Sequence, residues 1–201
     1  MNMLEPDKQN MPLQLLKHIR NFTEFKKEEF EKIQEYFDIQ MYGKKDVILS
    51  AGSRCSFNYF VLEGCLHMFF TGENGIQRTV QFAIENWWMT DNLAYQKGGV
   101  TDFTIQGVEN TTLLKISREN QEELLTKFPA LEKYFRKIYE ISYGASLMKM
   151  KYVFDYTKEE IYYHFTERFP QFTQRVPQYL IASYLGLTPE YVSEIRAKNR
   201  S

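Results

Sequence analysis

The side chains with the clearest chemical potential lie near the C-terminal end of the chain. Arginine and lysine suit the phosphates of DNA, whereas glutamine, glutamate and serine can hydrogen-bond to base edges. Both kinds alternate in one segment, which contains Arg175, Gln178, Thr188, Pro189, Glu190, Tyr191, Ser193, Glu194, Arg196, Lys198 and Arg200. This pattern predicts a surface that contacts DNA, although its two glutamates weaken the attraction to phosphate.

Two short helices are predicted to position these side chains. Pro177 suits the first turn of a helix that runs to Leu185, and Gly186 can adopt the left-handed conformation that ends it. Thr188 then caps a second helix, and the small residue Ala182 stands where the two helices cross. This order predicts a helix-turn-helix, in which the second helix enters the major groove of DNA. An ordinary helical hairpin is the alternative.

The region from residue 38 to residue 116 is predicted to consist of short strands. Alternating apolar and polar runs lie at residues 39–42, 47–49, 58–62, 65–70, 76–83, 103–108 and 112–116. Glycine and asparagine separate these runs, and segment 72–75 (Gly-Glu-Asn-Gly) suits a hairpin tip. Many short strands with turns at this spacing predict an antiparallel sandwich or barrel.

Helices are predicted on both sides of the strand region. Residues 11–37 have helical spacing with Thr23 as a cap, Ser117 caps a helix after the last strand, and Thr157 begins a capping box. A long helix spans about residues 130–154 and carries a stripe at alternating spacings of four and three. The stripe consists of Leu131, Phe135, Ile138, Ser142, Ala145 and Lys149. It either lies across the protein's own barrel or forms a dimer interface with a second copy, and we favour the dimer.

The composition of the chain and its few cysteine and histidine residues exclude several classes of function. The chain has 201 residues and a net charge of −1, which excludes a histone-like basic binder, and no apolar run is long enough to cross a membrane. Two cysteines cannot form a disulfide scaffold, and Cys65 with His67 lacks the further ligands of a zinc site. No catalytic or phosphate-loop motif is present, so we expect neither an enzyme nor a cofactor. The N-terminal residues do not form a secretory signal, which predicts a cytoplasmic protein.

The order of these parts resembles the Crp/Fnr family of bacterial transcription regulators. Segment 58–64 (NYFVLEG) is similar to a family strand that ends in a glycine turn, and segment 181–188 (IASYLGLT) is similar to the family's helix-turn-helix signature. Segment 85–91 (ENWWMTD) is similar to a divergent branch common in Bacteroidetes. The resemblance covers about residues 22–198. It implies a cyclic-nucleotide-binding type of β-roll, a dimerisation helix and a DNA-binding domain.

The resemblance also locates a degenerate effector pocket. Nucleotide-binding members open a phosphate cassette with Gly-Glu and close it with Arg-Ser or Arg-Thr, whereas the matching pairs here are Thr90-Asp91 and Thr101-Asp102. Residues 79–117 contain no arginine, so a cyclic phosphate would meet Asp102 in place of a cation. We therefore expect that cyclic AMP does not bind in the usual way.

Large apolar side chains lie beside this cassette. Trp87, Trp88 and Met89 either fill the vacated pocket as core or line a site for a different, less anionic ligand, and we favour the filled pocket.

These observations predict an α+β protein with a double-stranded β-helix or jelly-roll barrel flanked by helices, a long dimerisation helix and a C-terminal helix-turn-helix domain. The expected boundaries are residues 1–129, 130–154 and 155–201. The predicted function is a homodimeric transcriptional regulator that binds double-stranded DNA, with RNA polymerase as a candidate partner and no identified effector. The alternative is a ligand-binding or protein-interaction module of the same fold that does not bind DNA.

Overall fold

The structure is a computed structural model that describes residues 13–198. Its helices are α1 (Leu13–Arg20), α2 (Lys27–Ile33), α3 (Asn92–Lys97), α4 (Arg118–Lys127), α5 (Pro129–Asp155), α6 (Lys158–Arg168), α7 (Pro170–Arg175), α8 (Gln178–Leu185) and α9 (Pro189–Lys198). Its strands are β1 (Phe37–Tyr42), β2 (Val47–Leu49), β3 (Phe57–Glu63), β4 (Leu66–Thr71), β5 (Gln77–Ala83), β6 (Trp88–Met89), β7 (Thr104–Gly107) and β8 (Thr111–Ser117). Within this range, no helix has the length and apolar character needed to cross a membrane.

The strands form two antiparallel sheets that pack face to face as a jelly roll. One sheet has the order β1-β8-β3-β6, and the other has the order β2-β7-β4-β5. Because side chains alternate between the two faces of a strand, every strand can contribute to a core between the sheets. Leu66, Ile105 and Leu113 are fully buried in that core.

A second part of the core joins the β-roll to α1, α2, α4 and the beginning of α5. The Trp88 ring lies 5.2 Å from the Phe60 ring and 5.1 Å from the Phe135 ring, measured between centroids. Trp88 Nε1 also donates to the Tyr134 hydroxyl at 2.7 Å. These contacts fix the first turns of α5 on the β-roll.

Helices α6 to α9 form a small C-terminal module with its own apolar core. Ala182 on α8 and Val192 on α9 are fully buried in it. Gly186, with φ +71°, ends α8 in the left-handed conformation that glycine adopts without strain. Thr188 Oγ1 accepts from the backbone N–H of Tyr191 at 3.2 Å, which caps α9.

Helix α8 covers the free edge of β5. Because β5 is the last strand of its sheet, one side of its backbone has no partner strand. Ser183 Oγ accepts from the Thr79 N–H at 2.9 Å and donates to the Gln77 carbonyl at 3.1 Å. One hydroxyl group thus forms hydrogen bonds with two backbone groups at the edge of β5 and holds the C-terminal module against the β-roll.

The predicted fold class is confirmed, but one predicted helix cap was wrong and two short elements were not predicted. Thr23 does not cap a helix, because α2 begins at Lys27 after a different N-cap residue. The short elements β6 and α3 lie between the predicted strands and were not predicted from the sequence. Pro170 begins α7, because proline is tolerated in the first turn of a helix.

Candidate functional site

Helix α3 lies in the region of the predicted cassette, and Asp91 caps it. Asp91 Oδ1 accepts from the N–H groups of Leu93 and Ala94 at 3.1 and 3.2 Å. Asp91 Oδ2 accepts from Thr101 Oγ1 at 2.8 Å. The N-terminus of a helix is a place where N–H groups bind anions such as phosphate. Here the chain's own carboxylate takes that place.

The other predicted cassette residues divide between core and surface. Thr90 Oγ1 donates to the Phe57 carbonyl at 2.9 Å, and Thr101 is fully buried. Met89 is buried in the core between the two sheets. Asp102, in contrast, is exposed to solvent.

Two arginines that the sequence analysis did not connect with the cassette lie at the C-terminal end of α3. Arg54 Nε donates to the Gly98 carbonyl at 3.0 Å. A Cβ atom at Gly98 would lie 3.4 Å from Arg54 Nη2 and 3.5 Å from Arg118 Nε, so both guanidinium groups lie next to this glycine. Both arginines come from outside residues 79–117, and only the fold brings them to the cassette.

The two tryptophans lie on a different side of the β-roll from α3. Trp88 belongs to the core under α1 and α5, and Trp87 is 41% exposed with its ring centroid 6.1 Å from that of Phe172 on α7. The prediction that they fill the nucleotide pocket was therefore wrong. The turn between β5 and β6 directs them toward the helices instead.

A cavity of about 670 Å³ lies where the β-roll, α5 and the C-terminal module meet, and we call it the junction cavity. Its walls come from β5 with the following turn, from the middle of α5, and from α6 to α8. Aromatic side chains such as Phe82, Phe165 and Tyr184 form much of the lining, together with both tryptophans. The lining residues include Lys149 and Arg168 but no aspartate or glutamate.

Lys149 has no carboxylate partner in the part of the chain that the structure describes. Its Nζ donates to the Val80 carbonyl at 3.3 Å and lies 3.6 Å from the centroid of the Tyr184 ring. Burial lowers the pKa of Lys149 from 10.5 to about 8, because the charged form loses hydration. The ammonium group is thus held by one carbonyl dipole and one aromatic face.

Three of the predicted DNA-contacting side chains form a polar network on α8 and α9. Arg196 Nη1 donates to Gln178 Oε1 at 2.7 Å, and Gln178 Nε2 donates to Ser193 Oγ at 3.1 Å. Tyr191 is partly exposed. The exposed members of the predicted set on α9 and the turn before it are Thr188, Pro189, Glu190, Ser193, Glu194, Arg196 and Lys198. Arg200 lies outside the described residues.

Arg175 is placed differently from the other predicted DNA contacts. Its Nη1 and Nη2 donate to the two carboxylate oxygens of Glu85 at 2.9 and 2.7 Å, and its Nε donates to Glu109 at 3.1 Å. Glu85 also accepts from the Gly64 N–H at 2.9 Å. These Arg175 hydrogen bonds lower the pKa of Glu85 and raise the pKa of Arg175. The guanidinium group therefore ties α7 to the β-roll, and its predicted contact with a DNA phosphate stays a prediction.

The first part of the predicted dimer stripe on α5 is buried against the protein's own core. Leu131 and Phe135 are 1% and 4% exposed in the core under α1, and Ile138 packs against that core. The other members line the junction cavity: Ser142, Ala145 and Lys149. Leu131 and Phe135 are therefore core residues of this chain, whereas a dimer contact of Ser142, Ala145 and Lys149 stays a prediction.

A second apolar stripe on α5 is exposed, and we call it the outer stripe. It consists of Tyr139, Tyr143, Leu147, Met150 and Phe154. Successive members are three or four residues apart, which is the spacing of helices that pack along one another. With Tyr143 at 67% and Phe154 at 80% exposure, the outer stripe has the character of an interaction surface.

The cysteines and His67 are part of the packed β-roll. Cys65 is fully buried, and burial raises the pKa of its thiol to about 12. The His67 ring nitrogens lie 3.2 Å from Gln106 Oε1 and 3.4 Å from Thr79 Oγ1. In residues 13–198, no group of three His, Cys, Asp or Glu side chains is placed to hold a metal ion.

Comparison with known proteins agrees with this architecture. Residues 39–128 match the model of the cyclic nucleotide-binding domain family. No curated protein sequence matches the chain. The chain is similar in structure to FixK2 from Bradyrhizobium japonicum, with a TM-score of 0.68 and 16% identity over 81% of this chain and 83% of that one.

Two further solved structures share the fold. CLP from Xanthomonas campestris, described as a c-di-GMP-responsive global regulator, has a TM-score of 0.70 and 11% identity over 87% of this chain and 92% of its own. A CooA mutant from Carboxydothermus hydrogenoformans has a TM-score of 0.65 and 18% identity over 91% of this chain and 83% of its own. The match over residues 39–128 and the fold shared with these three solved structures agree with what the resemblance to the Crp/Fnr family implied.

Proposed function

We propose that this chain is a homodimeric, sequence-specific DNA-binding transcriptional regulator of the Crp/Fnr type. The observation that carries the proposal is the polar network of Gln178, Ser193 and Arg196, which lies on the exposed side of two helices joined by a tight turn. The Crp/Fnr fold supports it, because that fold places such a module after a long helix. In this proposal the protein is not an enzyme, acts in the cytoplasm, and has RNA polymerase as a candidate partner.

Helix α9 enters the major groove in this proposal. Arg196 and Lys198 contact phosphates, while Glu190, Ser193 and Glu194 face base edges, where glutamate can accept a hydrogen bond from cytosine. The two glutamates weaken the electrostatic attraction of each module. A dimer compensates for this, because binding of the second module is effectively intramolecular.

The first experiment selects double-stranded sequences from a random pool with the purified protein and measures their affinity by fluorescence anisotropy at several salt concentrations. Arg196→Ala should weaken binding about tenfold and lower the slope of log affinity against log salt by about one, since one phosphate contact is lost. Lys27→Ala is the matched control, because it removes one exposed positive charge far from α9. Enrichment of no sequence, or an equal effect of both variants, contradicts the proposal.

We propose that the dimer forms through the outer stripe of α5. A glutamate at its centre would be desolvated against an apolar surface, so Leu147→Glu should convert the dimer to a monomer in sedimentation velocity at micromolar concentration. Gln96→Glu adds the same charge to an exposed position of α3 and should leave the dimer intact. A wild-type protein that sediments as a monomer contradicts this part of the proposal.

The cyclic nucleotide-type domain does not bind cyclic AMP in the usual way in this proposal. Asp91 supports this, because its carboxylate already accepts from the two N–H groups at the start of α3. A phosphate at the same place would have to displace a like charge.

A second candidate is a ligand-binding module of the same fold that does not contact DNA. This second candidate is favoured by the contacts that hold the C-terminal module against the β-roll. These contacts are the Ser183 hydrogen bonds to β5 and the Arg175 ion pairs. The DNA selection decides between the two candidates, since this second one predicts no sequence enrichment.

A further inference from the structure

The junction cavity has the size and lining of a small-molecule site. Its volume of about 670 Å³ falls within the range of roughly 300–1,000 Å³ that ligand pockets occupy. Aromatic and aliphatic side chains dominate its walls, among them Phe82 and Ile138. A ligand that fills this space must therefore have a mainly apolar body.

The positively charged side chains in the cavity wall indicate which polar group the ligand carries. Lys149 brings a cation to the lining with one carbonyl and one ring as its contacts, and Arg168 adds a second, exposed cation. No aspartate or glutamate lines the cavity. A partly buried ammonium without an anion is an unfavourable arrangement that a ligand carboxylate would correct through a charge-assisted hydrogen bond.

We propose that the junction cavity binds an apolar monocarboxylic acid, with its carboxylate on Lys149 and its hydrocarbon body among the aromatic side chains. A neutral hydrocarbon would leave the ammonium of Lys149 unpaired. A nucleotide or other polyanion would bring more charge than Lys149 and Arg168 can neutralise in an apolar cavity. This site is separate from the cassette at α3, and its occupation does not depend on DNA binding.

The position of the cavity gives the ligand a structural effect. Lys149 stands on α5, Tyr184 belongs to the C-terminal module, and Val80 belongs to the β-roll. A bound acid therefore contacts all three parts at once and stabilises the arrangement in which they meet.

The chain offers a site-specific reporter for the test. It contains two tryptophans, Trp87 and Trp88, and both line the junction cavity. The full-length protein is titrated with decanoate and with 6-phenylhexanoate, and each is compared with its neutral amide of the same shape. Tryptophan fluorescence and calorimetry both measure binding, and no DNA is present.

The acids should bind at least about tenfold more tightly than their amides, because only the acids pair with the ammonium group. Lys149→Met should remove that preference while it leaves the affinity for the amides within about twofold. Lys151→Met is the matched control, since Lys151 is an exposed residue of the same helix that pairs with Asp155. Ala145→Phe places a ring in the cavity from an exposed helix position and should abolish binding of acids and amides alike.

Two results would overturn the proposal. One is that neither acid changes the tryptophan emission at about 1 mM, a concentration at which a specific site of this size should be filled. The other is that acids and amides bind equally, or that Lys149→Met acts no differently from Lys151→Met. Neither result bears on the DNA experiments, so this proposal and the proposed function can fail separately.

Discussion

The cassette region and the junction cavity differ in whether their charged groups are paired within the chain. At the start of α3 the N–H groups of Leu93 and Ala94 meet Asp91, so the chain supplies the anion that a bound phosphate would otherwise supply. At the junction cavity Lys149 is a cation whose contacts are a carbonyl and a ring. The first region is satisfied internally, and the second remains without a counter-ion.

The contrast teaches that a shared fold does not by itself provide a site that can bind the same ligand. The cyclic nucleotide-type domain keeps the helix that would bind phosphate, but the hydrogen-bonding capacity of that helix end is used by its own cap. The cation without a carboxylate partner lies instead at the boundary between the β-roll and the C-terminal module. Three substitutions test the contrast, and they are ordered by the size of the expected effect.

Lys149→Met should raise the free energy of unfolding at pH 7, by at most about 3 kcal/mol, because it removes an unpaired ammonium and keeps the apolar stem. The folded-state pKa of about 8 lies below the unfolded value of 10.5, so the unfolded state binds more protons between these pH values. Wild-type stability should therefore rise from pH 8 to pH 10.5 relative to the variant, and the difference should disappear above that range.

Urea denaturation across this pH range measures the effect, with Lys151→Met as the control at an exposed ion pair. If Lys149→Met lowers stability at pH 7, the ammonium has a compensating partner and the contrast with Asp91 is lost.

Asp91→Ala should lower the free energy of unfolding by about 2 kcal/mol. It removes the cap of α3 and leaves the buried hydroxyl of Thr101 without its carboxylate acceptor. Chemical denaturation at pH 7 gives the value. Asp102→Ala removes an exposed carboxylate eleven positions further along and should change stability by less than about 0.5 kcal/mol. Equal effects of the two substitutions would show that Asp91 is not the internal anion of the cassette.

Arg175→Met should lower the free energy of unfolding by about 1 kcal/mol at pH 7, since it leaves Glu85 and Glu109 without their shared cation. Arg175 depresses the folded-state pKa of Glu85, so this stabilisation is present above the ordinary carboxyl pKa and is lost as the pH falls through the depressed value. Stability curves from pH 7 to pH 3 should therefore converge for the two proteins.

The same variant separates a structural role from a role at DNA. Arg175→Met should keep the salt dependence of DNA binding, in contrast to Arg196→Ala. A salt slope lowered by Arg175→Met would support the predicted contact of Arg175 with a phosphate.

The features that depend on local periodicity, such as helix bounds and helix caps, could be predicted from the sequence. The predicted helix 130–154 differs from α5 by one residue at each end, and the caps at Ser117 and Thr157 are present. Helix α3 was missed although Asp91 and Gly98 are its cap residues in the structure, because six residues give too little periodicity to stand out among strands. A search for cap pairs at short spacing could have found it.

The candidate sites depend on contacts that are distant in sequence, and these were harder to predict. Lys149 was correctly placed on the stripe of α5, but a helical period does not say whether the facing surface is a second copy or the chain's own β5. The ion pairs of Arg175 join α7 to the loops that hold Glu85 and Glu109, and no spacing rule connects those segments. Only the fold shows that they meet.

The hydroxyl group of Ser183 has a consequence for aggregation. An uncovered edge strand can pair with a strand of another molecule, and natural proteins commonly protect such edges. Here the protection of β5 is a helix of the C-terminal module, attached at Thr79 and Gln77. Loss of that module, by proteolysis or truncation, would expose a template for intermolecular β-sheet, so α8 also shields the β-roll from edge-to-edge pairing.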